Sequence, residues 1–358
     1  MTFSFRRGLA ALCCLLGAGV LALAVPAAPS QPKTSPQVSI ENGEDLFFHE
    51  TYGGNGRVCA TCHDPRHEFT LSPDLVLDRW RRDSSHPLFR AQDSDDGQGG
   101  SYVRLLTHAQ FKVTVPLADN VFPTEAPADR SIVVWRGVPS LANADLTAPY
   151  GVDGRFESRQ IQAAAAIQDH MAPTTLPRDR DLDSIAAFVG QFFYPLRLRS
   201  LLPSSGDTLP LDPDFSIPLA GTAAIRGKSV FDANCARCHS GELRNRPLDH
   251  HQPLFSTVKV SELNRTGLPL LHLGFRKADG TVTVVDTPDP GRAALTGDLN
   301  DLNAFEIPSL RGIRHTAPYF HDNSAADLRA LVEHYNEVLE LGLTEEQLDD
   351  LISYLEVL

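Results

Sequence analysis

Two pentads, Cys59-Ala60-Thr61-Cys62-His63 and Cys235-Ala236-Arg237-Cys238-His239, constrain this 358-residue chain more than any other feature. Two thiols one helical turn apart can add across the vinyl groups of a haem, and the next residue then delivers an imidazole to the iron. A single pentad could be a chance match or half of a zinc site. Two of them behind an export leader predict two covalently bound haem c groups. Such groups bring one-electron or peroxide chemistry that no side chain supplies.

Residues 1–28 read as a signal peptide. Arg6 and Arg7 precede an apolar run from Gly8 to Val25, and Val25-Pro26-Ala27 offers small residues for cleavage. The run passes into a Pro/Ser/Gln stretch rather than a charged anchor, so no stable membrane span is expected after processing. Cys13 and Cys14 lie inside the run, preceded by residues that suit a lipoprotein signal poorly, which leaves lipid anchoring as a minor alternative. The other four of the six cysteines belong to the pentads, so no thiol remains for a disulfide. An exported chain whose mature thiols all go to haem is expected in the bacterial periplasm.

The formal charge is −13, and two units more negative once Arg6 and Arg7 depart. That excess disfavours nucleic acid and anionic lipid as partners and favours a basic protein. About 330 mature residues suffice for two domains of ordinary size.

The chain carries a degenerate internal duplication. Gly43, Leu46 and Phe47 precede the first pentad as Gly227, Val230 and Phe231 precede the second, each in a short apolar helix. The Pro/Ser/Asp-rich stretch 202–218 reads as a linker. An N-terminal domain over 29–205, with a loop-rich expansion at 64–131, and a C-terminal domain over 206–358 are therefore expected. Helices are predicted over Arg159–Asp169, over Leu182–Phe193, and from a cap at Asn323 or Ser324 to near Gly342. A last helix should follow the capping box Thr344-Glu345-Glu346-Gln347. Strand signals such as Thr281–Val285 are short. The fold class is mainly α: two haem domains like cytochrome c, with long loops and few short strands. The run Asp93-Ser94-Asp95-Asp96-Gly97 misses the spacing of a calcium loop and reads as a solvated acidic loop.

The residues after the linker carry a resemblance. Asp289-Pro290-Gly291-Arg292, Phe305-Glu306-Ile307-Pro308-Ser309-Leu310-Arg311 and Thr316-Ala317-Pro318-Tyr319-Phe320-His321-Asp322 are similar to the C-terminal signature of bacterial di-haem cytochrome c peroxidases and MauG. Arg136-Gly137-Val138-Pro139-Ser140-Leu141-Ala142-Asn143 and Asp153-Gly154-Arg155 match the same family in the other half. The resemblance implies a periplasmic peroxidase that reduces hydrogen peroxide at the His63 haem and takes electrons through the His239 haem. The donor would be a small cytochrome c, a cupredoxin or a dedicated protein substrate. It also implies one calcium ion on Thr316 and the Pro318 carbonyl, with Gly137 standing where the family has an asparagine ligand.

The departures matter as much. Where the peroxidases place a methionine on the second haem, this chain has Tyr335, as MauG-type enzymes do; a phenolate favours ferric and higher states. Tyr335 also lies on the apolar stripe of its helix and could be core, while His334 competes as ligand. Val152 replaces the tryptophan relay, leaving Trp135, Tyr150 or direct tunnelling, and either aromatic could simply fill the core. His170-Met171 replaces a glutamate and methionine. His170 could move the peroxide proton, bind the first iron, or be a loop histidine. Gln162 matches a distal-pocket glutamine, and Arg155 could hold a haem propionate or form a structural ion pair. The rival function is a di-haem electron-transfer cytochrome or redox sensor without peroxide turnover.

Overall fold

The computed structural model describes residues 36–193, 221–249 and 254–358. The expected signal peptide, the linker and the domain boundary lie outside the described residues. The chain begins with α1 (Pro36–His49) and α2 (Cys59–Cys62), followed by α3 (Pro73–Arg82), α4 (Val103–His108), β1 (Phe111–Pro116), β2 (Val121–Pro123) and β3 (Ser131–Arg136). Then come α5 (Arg159–Met171), α6 (Asp179–Val189), α7 (Gly221–Asn234), β4 (Phe255–Ser256), α8 (Val260–Leu263), β5 (Leu271–Arg276) and β6 (Val282–Thr287). The chain closes with α9 (Ala293–Thr296), β7 (Phe305–Glu306), α10 (Leu328–Val338) and α11 (Glu345–Leu355). The protein is mostly helical, with a few short antiparallel strands.

The duplication is visible as two helix crossings. α1 packs on α6, and α7 packs on α11. Each crossing is close because a glycine sits at its centre. A β-carbon on Gly43 would overlap the Ser184 carbonyl, and one on Gly227 would overlap the Asp350 carbonyl. One turn further along, Phe47 packs on Phe188 at 5.4 Å between ring centroids, and Phe231 on Tyr354 at 5.1 Å. Phe47, Phe231 and Tyr354 are fully buried, each contributing roughly 2 kcal/mol of apolar burial.

The repeat continues past the pentads. Ser140 Oγ donates to the Glu68 carbonyl (2.6 Å), as Ser309 Oγ donates to the Leu243 carbonyl (2.9 Å). Tyr150 bridges Phe156 as Tyr319 bridges Ala325. α5 is capped by Ser158, whose side chain accepts from Ile161 N, and α10 by Asp327, which accepts from Ala330 N. The predicted cap at Asn323 or Ser324 was thus four or three residues early. Asn323 is in the left-handed region (φ 56°), and its amide donates instead to the His108 carbonyl (2.8 Å). The Thr344–Gln347 capping box opens α11 as predicted. α6 stops at Val189, four residues short of Phe193.

The segment 64–131 is more than loop. It contributes α3, α4, β1 and β2 and has its own core of Leu71, Leu75, Val76, Leu88, Phe89, Leu105, Ala109 and Phe111. Its strands tie the halves together. β1 pairs with β3, while β2 joins β5 and β6 from the other half, with Val121 opposite Phe275. Val115, Val121, Ile132 and Val134 share a core with Leu273, Phe275, Ala293 and Ala294. The described residues accordingly belong to one compact unit.

Candidate active site

Both pentads present the same donor set. Cys59 to Cys62 form a single helical turn, and His63 N closes it on the Cys59 carbonyl (3.0 Å), as His239 N does on Cys235 (2.9 Å). His63 Nδ1 donates to the Phe69 carbonyl and His239 Nδ1 to the Arg244 carbonyl, both at 2.7 Å. That bond fixes the tautomer and leaves Nε2 with its lone pair. Burial pushes both imidazoles down to about 4, so each is neutral and fit to ligate. Burial also pushes the thiols of Cys59 and Cys235 up to about 12 and that of Cys62 up to about 11. All four thiols are free. Two unpaired thiols with a neutral, oriented imidazole are what a c-type haem requires, and the residues fit the group at both sites.

On the far side of the first pentad stands α5. Its Ala163, Ile167 and Met171 pack into a cluster that includes Cys59 and Ala60, and His170 lies close enough to His63 to disfavour a charge on it. His170 is held from behind. Asn55 Nδ2, Arg57 Nη1 and Gln92 Nε2 all donate to its backbone carbonyl, at 2.9, 3.2 and 3.1 Å. Arg57 is itself buried against Asp93 and donates to the Pro87 and Leu88 carbonyls. Burial lowers the imidazole pKa of His170, with Asp93 opposing and Arg57 reinforcing. Arg155 also acts on His170, but its guanidinium is paired with Asp153 (2.7 Å) and lies over the Phe156 ring. Gln162 is half-buried two turns before His170 on the same helix. The structure therefore brings His170 within electrostatic reach of both His63 and Arg155, with Gln162 two turns earlier on the same helix.

Sequence reasoning missed Arg57, Asn55, Gln92 and Asp93, because buried polar clamps follow no periodicity. The acidic run is a correction at Asp93, while Asp96 is exposed as a solvated loop requires. Asp93 is 1% exposed and paired with Arg57. Asp95 accepts from Val103 N and Arg104 N at the start of α4, and Asp96 accepts from Gln98 N, Gly99 N and Gly100 N. Backbone donors thus serve Asp95 and Asp96, and the Arg57 guanidinium serves Asp93.

In the second half, Tyr335 projects from α10 against the cluster containing Cys235 and Ala236. Burial raises its phenol pKa, and Cys235 and Cys238 add to the effect. His334 points elsewhere: its Nε2 bonds the Val258 carbonyl (2.7 Å) and its ring lies against Phe320.

The signature residues of both halves meet at Arg136. Arg136 holds Asp289 with two bonds (2.7 and 3.0 Å) and Asp153 with one (2.6 Å). Burial disfavours its charge, yet the two carboxylates more than offset this and keep it cationic. Phe305 stacks on His321 at 3.7 Å. Burial, assisted by Asp153, pushes the Glu306 carboxyl up to about 8. Trp135 lies between two cations, Lys112 at 5.0 Å and Arg104 at 5.7 Å from its ring, which disfavours a third positive charge on the indole. Tyr150 packs into the cluster around Phe47.

The calcium ligand set fares differently. Thr316 Oγ1 donates to the Ile313 carbonyl (3.1 Å). Gly137 offers no side-chain oxygen, and the Asn323 amide occupies the space where a β-carbon at 137 would stand. Among the described residues no cluster of three or more His, Cys, Asp or Glu is placed to hold a metal ion. Thr316 and the Pro318 carbonyl stay an expectation of the resemblance, and no step is derived through calcium. Among the described residues no helix is long and apolar enough to cross a membrane.

No protein-family profile matches the chain. Among curated proteins it is similar to cytochrome-c peroxidase IdrP1 of Denitromonas iodatirespirans, at 30% identity over 93% of this chain and 84% of that protein. It is similar to IdrP2 of the same organism at 25% identity, over 89% and 81%. The methylamine utilization protein MauG of Methylophilus methylotrophus aligns at 22% identity over 87% and 75%. Among solved structures, a MauG-like protein associated with microbial copper homeostasis shares the fold, with a TM-score of 0.53 at 16% identity over 91% of this chain and 90% of that one.

Proposed function

The chain belongs to the family of bacterial di-haem cytochrome c peroxidases and MauG, and from that premise we propose that it reduces hydrogen peroxide in the periplasm with electrons from a protein donor. Two domains like cytochrome c would each hold one haem. The observation that carries the reading is the matched pair of bonds, His63 Nδ1 to Phe69 and His239 Nδ1 to Arg244, which prepares two neutral imidazoles beside two free thiol pairs. Haem c, held by Cys59, Cys62 and His63 and by Cys235, Cys238 and His239, supplies the redox chemistry at both places.

The protein's own part is proton management and orientation. His170, neutral at pH 7 because it is buried, takes the proton of the incoming peroxide on a ring nitrogen and returns it to the departing oxygen. The three donors on its carbonyl fix the backbone from which the ring projects. Gln162 lines the approach on the same helix. Arg155, through Asp153, links the pocket to Arg136 and the second half. Tyr335, packed beside the second attachment turn, would help hold the second haem, and an anionic phenol oxygen there would favour oxidised iron. Tyr335 also favours a MauG-like outcome, in which the donor is a protein whose own side chain is oxidised. The acidic surface selects a basic donor.

The rival reading, an electron carrier or redox sensor without turnover, is favoured by Val152 and by the cations against Trp135, which leave no easily oxidised indole between the halves. Mixing the diferric protein with hydrogen peroxide under stopped-flow optics separates the two. A fast Soret change that a reduced donor reverses supports the peroxidase. Slow bleaching alone supports the carrier.

A further inference from the structure

We propose that Ala166 keeps the first haem open, and that one register position in a duplicated helix, Ala166 in one half and Tyr335 in the other, sets which haem meets peroxide. The proposal rests on the di-haem reading and deepens it.

The register is fixed by structure. Thr147-Ala148-Pro149-Tyr150 and Thr316-Ala317-Pro318-Tyr319 lead into equivalent antiparallel bridges, Tyr150 to Phe156 and Tyr319 to Ala325. Eight residues after each tyrosine comes a cap, Ser158 or Asp327, and each cap accepts from the backbone N–H three residues on, Ile161 or Ala330. Identical starts give identical azimuths along the two helices. Tyr335 and Ala166 are each the eighth residue beyond the cap.

What the position faces follows from its counterpart and from its neighbours on the helix. On α10 it packs against Cys235 and Ala236 of the second attachment turn. On α5, Ala163 packs into the cluster containing Cys59 and Ala60, and His170, one turn beyond Ala166, acts electrostatically on His63. Residues 166 and 170 share a helix face. A methyl group has no lone pair and cannot reach a metal, whereas a phenol has both the reach and the donor atom. Ala166 is exposed, so a larger side chain there meets no packed core.

The test uses the full-length exported protein, with haem content read from its mass, and titrates the diferric form with cyanide. The wild type should bind one cyanide per two haems, Ala166→Gly likewise, Tyr335→Ala two, and Ala166→Tyr none, with a six-coordinate spectrum at rest. Ala166→His, a shorter ligand, provides a second closing variant should the tyrosine be poorly accommodated. The proposal is overturned if both closing variants retain two haems and bind one cyanide with wild-type affinity, or if the wild type binds two. A wild-type mass showing fewer than two haems defeats the di-haem reading itself, an outcome distinct from either titration result.

Discussion

Arg57 and Asp93 form an ion pair of 2.6 Å in which each side chain is only 1% exposed. It joins the residue two places before the first pentad to the segment 64–131, and through Arg57 it reaches the His170 carbonyl. Removing one partner of a buried pair strands the other charge, at a cost of about 3–5 kcal/mol. Asp93→Ala should lower stability by that order in chemical denaturation followed by far-ultraviolet circular dichroism. A loss under 1 kcal/mol would show that the pair is not the clamp described.

The helix crossings make a second prediction. Gly43→Ala and Gly227→Ala each force a methyl group into a carbonyl of the partner helix, Ser184 or Asp350. Overpacking of this kind costs about 1–3 kcal/mol. Each variant should lower the thermal midpoint by several degrees, and an unchanged midpoint would mean the crossings are looser than drawn.

Acid should weaken the protein through His63 and His239. Their pKa is about 4 folded against 6.5 in the open chain, so between those values the unfolded state binds more protons. The stability they contribute is whole above pH 6.5 and is withdrawn as pH falls toward 4. Unfolding midpoints measured from pH 8 to pH 4.5 should drop across that window. Glu306 runs the other way. Its folded pKa of about 8 exceeds its ordinary 4.5, so its contribution is full below 4.5 and fades as pH rises through 8. Glu306→Gln should remove that alkaline decline, and a decline equal to that of the wild type would exonerate Glu306.

Tyr335→Phe keeps the ring and removes the donor atom. The ferric spectrum of the second haem should change and its potential should rise, as loss of an anionic ligand requires. Redox titration with an unchanged spectrum and potential would return Tyr335 to the role of core aromatic.

Much of this was legible from residues alone. The pentads named the donor set, Gly43 and Gly227 announced the duplicated helices, and Thr344 with Gln347 marked the start of α11. What escaped notice depends on contacts distant in sequence. Asp93 and Arg57 lie 36 residues apart with no pattern linking them. β2 is three residues long and pairs with β5 about 150 positions away, so alternation cannot reveal it. Asn323 reads as a helix cap until the structure shows its amide filling the space beside Gly137. His334 reads as a competing ligand until the structure shows its Nε2 bonded to the Val258 carbonyl, which sequence cannot place.

The most direct test of the account is the intact mass of the exported protein, made in a host competent to attach haem. The account predicts the mature polypeptide plus two haem groups, with one lost in Cys59→Ser/Cys62→Ser and the other in Cys235→Ser/Cys238→Ser. A bare polypeptide, or a single haem on the wild type, would contradict it.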